Sequence, residues 1–149
     1  MANVRLASRA DRAAVVDLVG KLLAELGGTP SPAEAMSPTF DFLAGGGDVG
    51  FVALGESDSR AVAVCTVSYL RAMRTRGKYA IIQEMYVEPE YRSTGVGMGV
   101  LKFALDYAVA NGCQTVELGT PYHGDRQIQF YRRAGFTEVG ARLRWRAGQ

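Results

Sequence analysis

The chain has 149 residues, is 48% hydrophobic and 21% charged, and carries a formal net charge of +2. That length suits one domain over 1–149 with a sizeable core, and the composition is that of an ordinary globular protein. The charge is too small to argue for nucleic acid or an anionic membrane, and no apolar run approaches the ~18 residues of a spanning helix.

In chain order, Val4 to Leu6 reads as a short first strand. Ser8 and Asp11 are helix caps, and Val15, Leu18, Val19, Leu22 and Leu26 follow at helical spacing until Gly27-Gly28 stops them. Thr29 to Pro38 holds three prolines and reads as a loop that restarts as a short helix near Pro38 to Leu43. Gly45 to Asp48 is a turn. Val49 to Leu54 and Ala61 to Leu70 are strands, joined by a hairpin turn at Gly55 to Ser59. Arg71 to Lys78 is a polar, basic loop, and Tyr79 to Val87 a central strand closed by Pro89. Gly95 to Asn111 is the clearest helix, with Gly97, Val100, Leu101, Ala104, Leu105 and Ala108 on one face. Thr115 to Leu118 is a short buried strand, Asp125 to Ala134 a short helix ended by Gly135, and Phe136 to Trp145 the last strand or strands. Hairpins first and strand–helix alternation afterwards predict an α/β fold: a mixed, mostly antiparallel central sheet with helices on both faces.

Cys65 and Cys113 sit in apolar runs and form no framework, which fits buried, reduced thiols and a cytoplasmic setting. Their spacing from each other and from the lone His123 is wrong for zinc, and no metal is expected. Met1 to Leu6 is short and polar-interrupted, so no signal peptide is expected.

The informative stretch runs from Gln83 to Gly99, where a strand leads into a glycine-rich turn that opens a helix. The first turn of a helix has free N–H groups and a partial positive charge, and glycine lets a bulky anion approach them; a pyrophosphate is the natural guest. The alternative is that these glycines only allow close helix–sheet packing. A P-loop is excluded because no Gly-Lys-Ser/Thr is present, and a dinucleotide fingerprint because Val100 stands where its third glycine belongs.

Arg92-Ser93-Thr94-Gly95-Val96-Gly97 resembles the Arg/Gln-x-x-Gly-x-Gly/Ala signature of the GNAT superfamily of N-acetyltransferases. The run from Met85 to Arg92, and downstream Phe130-Tyr131-Arg132-Arg133-Ala134-Gly135-Phe136, are similar to that family's flanking motifs. The resemblance implies acetyl-CoA as cosubstrate and a primary amine, preferably of a small molecule, as acceptor. A protein amine, or a CoA-binding regulatory module without turnover, is the alternative. It implies that backbone N–H groups from Ser93 or Thr94 through Gly95, Val96, Gly97 and Met98 to Gly99 hold the pyrophosphate. It also implies that the strand splays near Met85, Tyr86 and Val87 to pair with the pantetheine arm. Arg92 either pairs with phosphate or caps the turn.

An ammonium cannot attack a thioester, so a base is needed; Glu84, in the central strand, is the candidate, against a plain salt bridge on the sheet face. Strand parity puts Gln83, Met85 and Val87 on one side and Glu84 and Tyr86 on the other, and a bulge would shift this, which keeps Gln83 as a second substrate contact. Tyr131 resembles the family's general acid, against a packed core tyrosine. The asparagine that the family often has near the last helix is absent; His123, Gly124 and Asp125 stand there, with Gln127 or Asp125 as its replacement. The basic loop is either solvated or a lure for an acidic acceptor or the CoA 3′-phosphate. The acceptor pocket is expected among Thr29 to Leu43, Leu70 to Lys78 and the C-terminal strands. Homodimerisation, with Leu143 and Trp145 contributing, is a further implication.

Overall fold

A computed structural model describes residues 2–29, 31–121 and 126–148. The chain falls into two compact units, Met1–Leu118 and Gly119–Gln149.

The first unit holds a sheet in the order β1-β2-β3-β4-β5: β1 (Ala2–Leu6), β2 (Gly50–Ser57), β3 (Arg60–Ala72), β4 (Gly77–Val87) and β5 (Val116–Glu117). The first three pairings are antiparallel and β4 to β5 is parallel, so the sheet is mixed and mostly antiparallel, as expected.

Helix α1 (Arg12–Leu26) buries Val15, Val16, Leu18 and Val19, and Gly27 ends it with φ 75°, a left-handed conformation that glycine adopts without strain. Helix α2 (Ala33–Ala44) starts five residues before the expected Pro38. Pro32, in extended backbone, occupies the cap, while Pro38 lies inside the helix and forgoes one backbone hydrogen bond. Burial of Phe40 and Leu43 offsets that loss, and tertiary packing overrides the proline signal. Both helices pack with Val52, Leu54, Val64 and Tyr86 on one sheet face.

Helix α3 (Val96–Ala110) covers the other face. A Cβ on Gly55 would meet Val100 Cγ2 at 2.7 Å and Val96 Cγ2 at 2.8 Å, so this glycine lets the helix lie close on the sheet. The sequence places Gly55 in a turn. Instead β2 runs on to Ser57, and the hairpin turns on Asp58 and Ser59, whose φ values are 52° and 63°. A two-residue loop of type I′ has both centres left-handed, which short polar residues tolerate. Similarly, β3 and β4 consume half of the expected Arg71 to Lys78 loop, pairing up to Ala72↔Gly77.

In the second unit, α4 (Arg126–Arg133) leads to Gly135 at φ 103°. The expected strand over Phe136 to Trp145 is not formed: none of these residues is helix or strand. Alternation supplies a face for a strand but not a partner, and pairing defines the strand. Val139, Leu143 and Trp145 stay 87%, 92% and 83% exposed.

Candidate active site

The site begins at an irregularity in β4. Val67 pairs with Ile82 and Thr66 with Glu84, which leaves Gln83 as an extra, exposed residue. A bulge of one residue exchanges the faces of everything beyond it. Before it, Ile82 shares a face with Val67; after it, Glu84 and Tyr86 share the α1–α2 face with Thr66 and Val64. Without the bulge, Glu84 would point towards α3.

Glu84 is held there by Thr66, which is 4% exposed. The Thr66 hydroxyl donates to Glu84 Oε1, and the Glu84 N–H donates to Thr66 Oγ1 at 3.0 Å. Among the described residues Glu84 enters no salt bridge. The carboxyl group is thus oriented by a neutral hydroxyl.

Among the described residues, the outer edge of β4 pairs with β5 only at Ala80↔Val116 and Ile81↔Glu117. Beyond Ile81 that edge has no strand partner among the described residues. Glu88 N–H donates to Val62 C=O at 2.8 Å, so Tyr86 and Glu88 turn their backbone groups to β3, and Met85 and Val87 turn theirs to the open edge. The Val87 carbonyl is already taken by Arg92 Nε at 2.9 Å. Met85 offers both of its groups, and Val87 its N–H. The Tyr86 side chain is buried in the core, which pushes its phenol pKa up, chiefly by desolvation.

The strand leads through Pro89–Tyr91, a single 3-10 turn, into the glycine turn. Ser93 at φ 67° and Gly95 at φ 95° reverse the backbone so that α3 starts at Val96. Thr94 N–H is used by Tyr91 C=O, and Gly99 N–H makes the first helical bond, to Gly95 C=O at 3.0 Å. Within the expected span from Ser93 to Gly99, the Val96, Gly97 and Met98 amides have no carbonyl four residues back within the helix. No side chain caps them. A Cβ at Gly95 would meet nothing within 4 Å, and one at Gly99 only Val4 at 3.6 Å. Close packing therefore explains Gly55 and not these two glycines. Three amides at the positive end of a dipole, following a glycine with open space beside it, fit a pyrophosphate.

Arg92 does not point its charge at that space unopposed. Its Nη1 and Nη2 donate to Glu25 Oε1 and Oε2, both at 2.9 Å, and its guanidinium lies 5.4 Å from the Tyr86 ring centroid. Its pKa is raised, first by the Glu25 hydrogen bonds. The basic hairpin is similarly engaged: Arg71 and Lys78 pair with Asp48, and Arg74 with Glu117. Nothing in the sequence points to Glu25 or Thr66, because their partners lie 67 and 18 residues away.

In the second unit, Tyr131 sits edge-on between Phe130 and Phe136, with ring centroids 5.2 and 5.6 Å away. Phe136 N–H donates to Tyr131 C=O at 3.0 Å, which ties the turn after α4 to the tyrosine. Gln127 is exposed in the first turn of α4. His123, Gly124 and Asp125 lie outside the described residues. Among the described residues, no cluster of ligand-type side chains is arranged for a metal and no helix is long and apolar enough to cross a membrane.

Over 93 residues the chain is 32% identical to an uncharacterized N-acetyltransferase of Methanocaldococcus jannaschii, a stretch covering 62% of this chain and 36% of that protein. Over 91 residues it is 25% identical to the thialysine N-epsilon-acetyltransferase of Bos taurus, covering 61% and 54%. The chain thus spans about a third to a half of the curated relatives it matches. A solved structure of a predicted acetyltransferase with acetyl-CoA from Clostridium acetobutylicum aligns with a TM-score of 0.82 over 98% of this chain and 96% of that one. At 18% identity, that likeness shows the fold alone. Residues 18–136 match the Acetyltransferase (GNAT) family, and with the match running through both the open β4 edge and the Tyr131 motif, the chain belongs to that family.

Proposed function

We propose that this protein is an acetyl-CoA-dependent N-acetyltransferase that passes acetyl directly to a primary amine of a small molecule. The observation that carries this is the uncapped first turn of α3 following the unpaired edge of β4. The turn suits a pyrophosphate, and a strand edge suits an extended arm bearing amides. We take 1–149 to act as one domain, because the family match crosses the boundary between the two units.

Bound acetyl-CoA supplies the acetyl thioester. The chain's own residues do the rest. The Val96, Gly97 and Met98 amides hold the anion, and Met85 and Val87 offer backbone groups along the open edge. An N–H aimed there also polarises a carbonyl oxygen. An alkyl amine with a pKa of about 10.4 arrives as ammonium, and deprotonation at pH 7 costs roughly 4 to 5 kcal/mol. Glu84 accepts that proton, directly or through water, with Thr66 fixing its carboxylate. Gln83, exposed in the bulge, is a second acceptor contact. Tyr131 gives a proton to the departing sulfur, and Gln127 supports the arm. Neither thiol serves as a nucleophile: Cys65 is pushed up to about 12, first by burial and then by the charge of Glu84, and burial also raises Cys113. This supports direct transfer.

The name of the thialysine relative favours a small alkyl amine over a protein acceptor. Unpaired buried thiols fit a cytoplasmic setting. The exposed alternation of Val139, Leu143 and Trp145 supports a homodimer.

The test is a thermal-shift titration with acetyl-CoA against adenosine diphosphate, followed by an amine screen for CoA release. Saturation at a hundred times Kd raises stability by about 2.7 kcal/mol. Gly95→Leu, which places a side chain in the open space, abolishes the shift. No shift at millimolar acetyl-CoA overturns the enzyme reading. A shift without turnover of any amine favours the regulatory module.

A further inference from the structure

Two ion pairs join one face of α1 to the connection between β4 and α3. Lys21 Nζ lies 2.6 Å from Glu88 Oε1, and one helical turn further on Glu25 grips Arg92 in a bidentate fork. Glu88 and Arg92 are themselves four residues apart, with the opposite order of signs. A slip of one turn in one direction would set Lys21 against Arg92, and in the other direction Glu25 against Glu88, so the observed register is the one that joins unlike charges at both places.

The two pairs differ in burial. The Glu88 side chain is 8% exposed, so losing Lys21 leaves a buried charge without its partner, a cost borne by stability. The Glu25 and Arg92 side chains are 43% and 42% exposed, where an ion pair adds little to folding. Yet this exposed pair has the more demanding geometry: a two-pronged fork, a third bond from Nε to Val87 C=O, and a ring under the guanidinium. Arg92 stands three residues before Gly95, at the root of the turn that presents the Val96 to Met98 amides.

We propose that Glu25 and Arg92 are positioning residues for acetyl-CoA: Glu25 clamps Arg92, and Arg92 fixes the glycine turn against the end of β4 instead of contacting phosphate itself. Two features support this. The guanidinium charge is matched by a carboxylate within hydrogen-bond distance, so a phosphate arriving there meets a neutral pair. By occupying the Val87 carbonyl, Arg92 also leaves a donor, and not an acceptor, at that point of the open edge. The proposal rests on the cofactor reading above, and it assigns Arg92 the capping alternative.

The sign of one effect separates the two roles. If Arg92 contacted phosphate, Glu25→Gln would remove a competing anion and tighten acetyl-CoA binding. If Arg92 positions the turn, the same change loosens the fork and weakens binding. The experiment measures acetyl-CoA affinity by calorimetry on the full chain, with thermal midpoints, for wild type, Glu25→Gln, Arg92→Lys and Lys21→Met. The expected result is a Kd raised about fivefold or more in Glu25→Gln and Arg92→Lys, since a small misplacement is costly at a preorganised site. The midpoint of Glu25→Gln stays near wild type, while that of Lys21→Met falls. Tighter or unchanged binding by Glu25→Gln overturns the positioning role while leaving the cofactor site intact. Absence of acetyl-CoA binding by wild type overturns the cofactor reading and this inference together.

Discussion

The run from Val62 to Val67 in β3 and the alternating run from Val139 to Trp145 both have a pattern that suits a strand, yet only the first is one. The first lies between two antiparallel neighbours and is almost wholly buried. The second alternates apolar residues with Arg142, Arg144 and Arg146 and finds no strand partner among the described residues. A residue pattern therefore reports what a face would be, while neighbours decide whether it exists. The same contrast separates the glycines. Gly55 is explained by what touches it, and Gly95 by open space and a left-handed φ.

The largest effect should come from chemistry placed by the β3–β4 pairing. Glu84→Gln keeps an acceptor for the Thr66 hydroxyl and removes the base. Steady-state kcat should fall about 10²- to 10⁴-fold while the thermal midpoint stays close to wild type. A change under threefold would remove Glu84 from catalysis and return the bulge to a purely structural role. Next comes packing. Gly55→Val drives a side chain into Val96 and Val100, and such overpacking costs about 1–3 kcal/mol. Because those residues open α3, acetyl-CoA affinity should fall with stability in a denaturant titration. Loss of stability with full affinity would mean that the turn does not depend on the seating of the helix.

Spacing located α1 and α3, because one buried stripe at a helical period needs no knowledge of a partner. The glycine turn was legible because a left-handed, uncapped helix entry calls for particular residues at particular places. The α2 start was not, since Pro38 inside a helix is tolerated only where Phe40 and Leu43 repay it with burial. The hairpin at Asp58-Ser59 was displaced towards Gly55, because a glycine needed for close packing looks the same in a sequence as one needed for a turn. Most of the site's support was hidden for a similar reason. The Glu25–Arg92 fork joins positions far apart in the chain, and nothing local to either residue announces the other.

A smaller, pH-dependent effect distinguishes the edges of the two units. In the first, Arg5 bridges Asp11 and Glu56 at 2.8 and 2.9 Å; in the second, Arg132 and Glu138 form an exposed ion pair. Hydrogen bonds from Arg5 hold the Asp11 carboxyl at about 2, below its ordinary 3.8. A carboxyl lowered on folding contributes stability above its unfolded pKa and loses it as pH falls through the folded one. Unfolding midpoints should therefore drop between pH 4 and 2, and Asp11→Asn should flatten part of that slope. An unchanged slope would mean that the bridge adds nothing to folding.

The smallest expected effect is the most informative about the unpaired segment. Leu143 and Trp145 are 92% and 83% exposed, so replacing either with serine removes little buried surface and should change the stability of an isolated monomer by no more than about 0.5 kcal/mol. If a second copy supplies the missing partner, the same substitutions act on association instead, and they do so together, because both side chains fall on one side of the alternation. Sedimentation at several concentrations reads this directly. A wild-type dimer that dissociates in the double variant, with its unfolding midpoint becoming independent of concentration, would complete the strand pattern between chains. A wild-type monomer at all concentrations would leave the alternation as an exposed face and withdraw the dimer from the proposed function, without touching the β4 edge or its glycine turn.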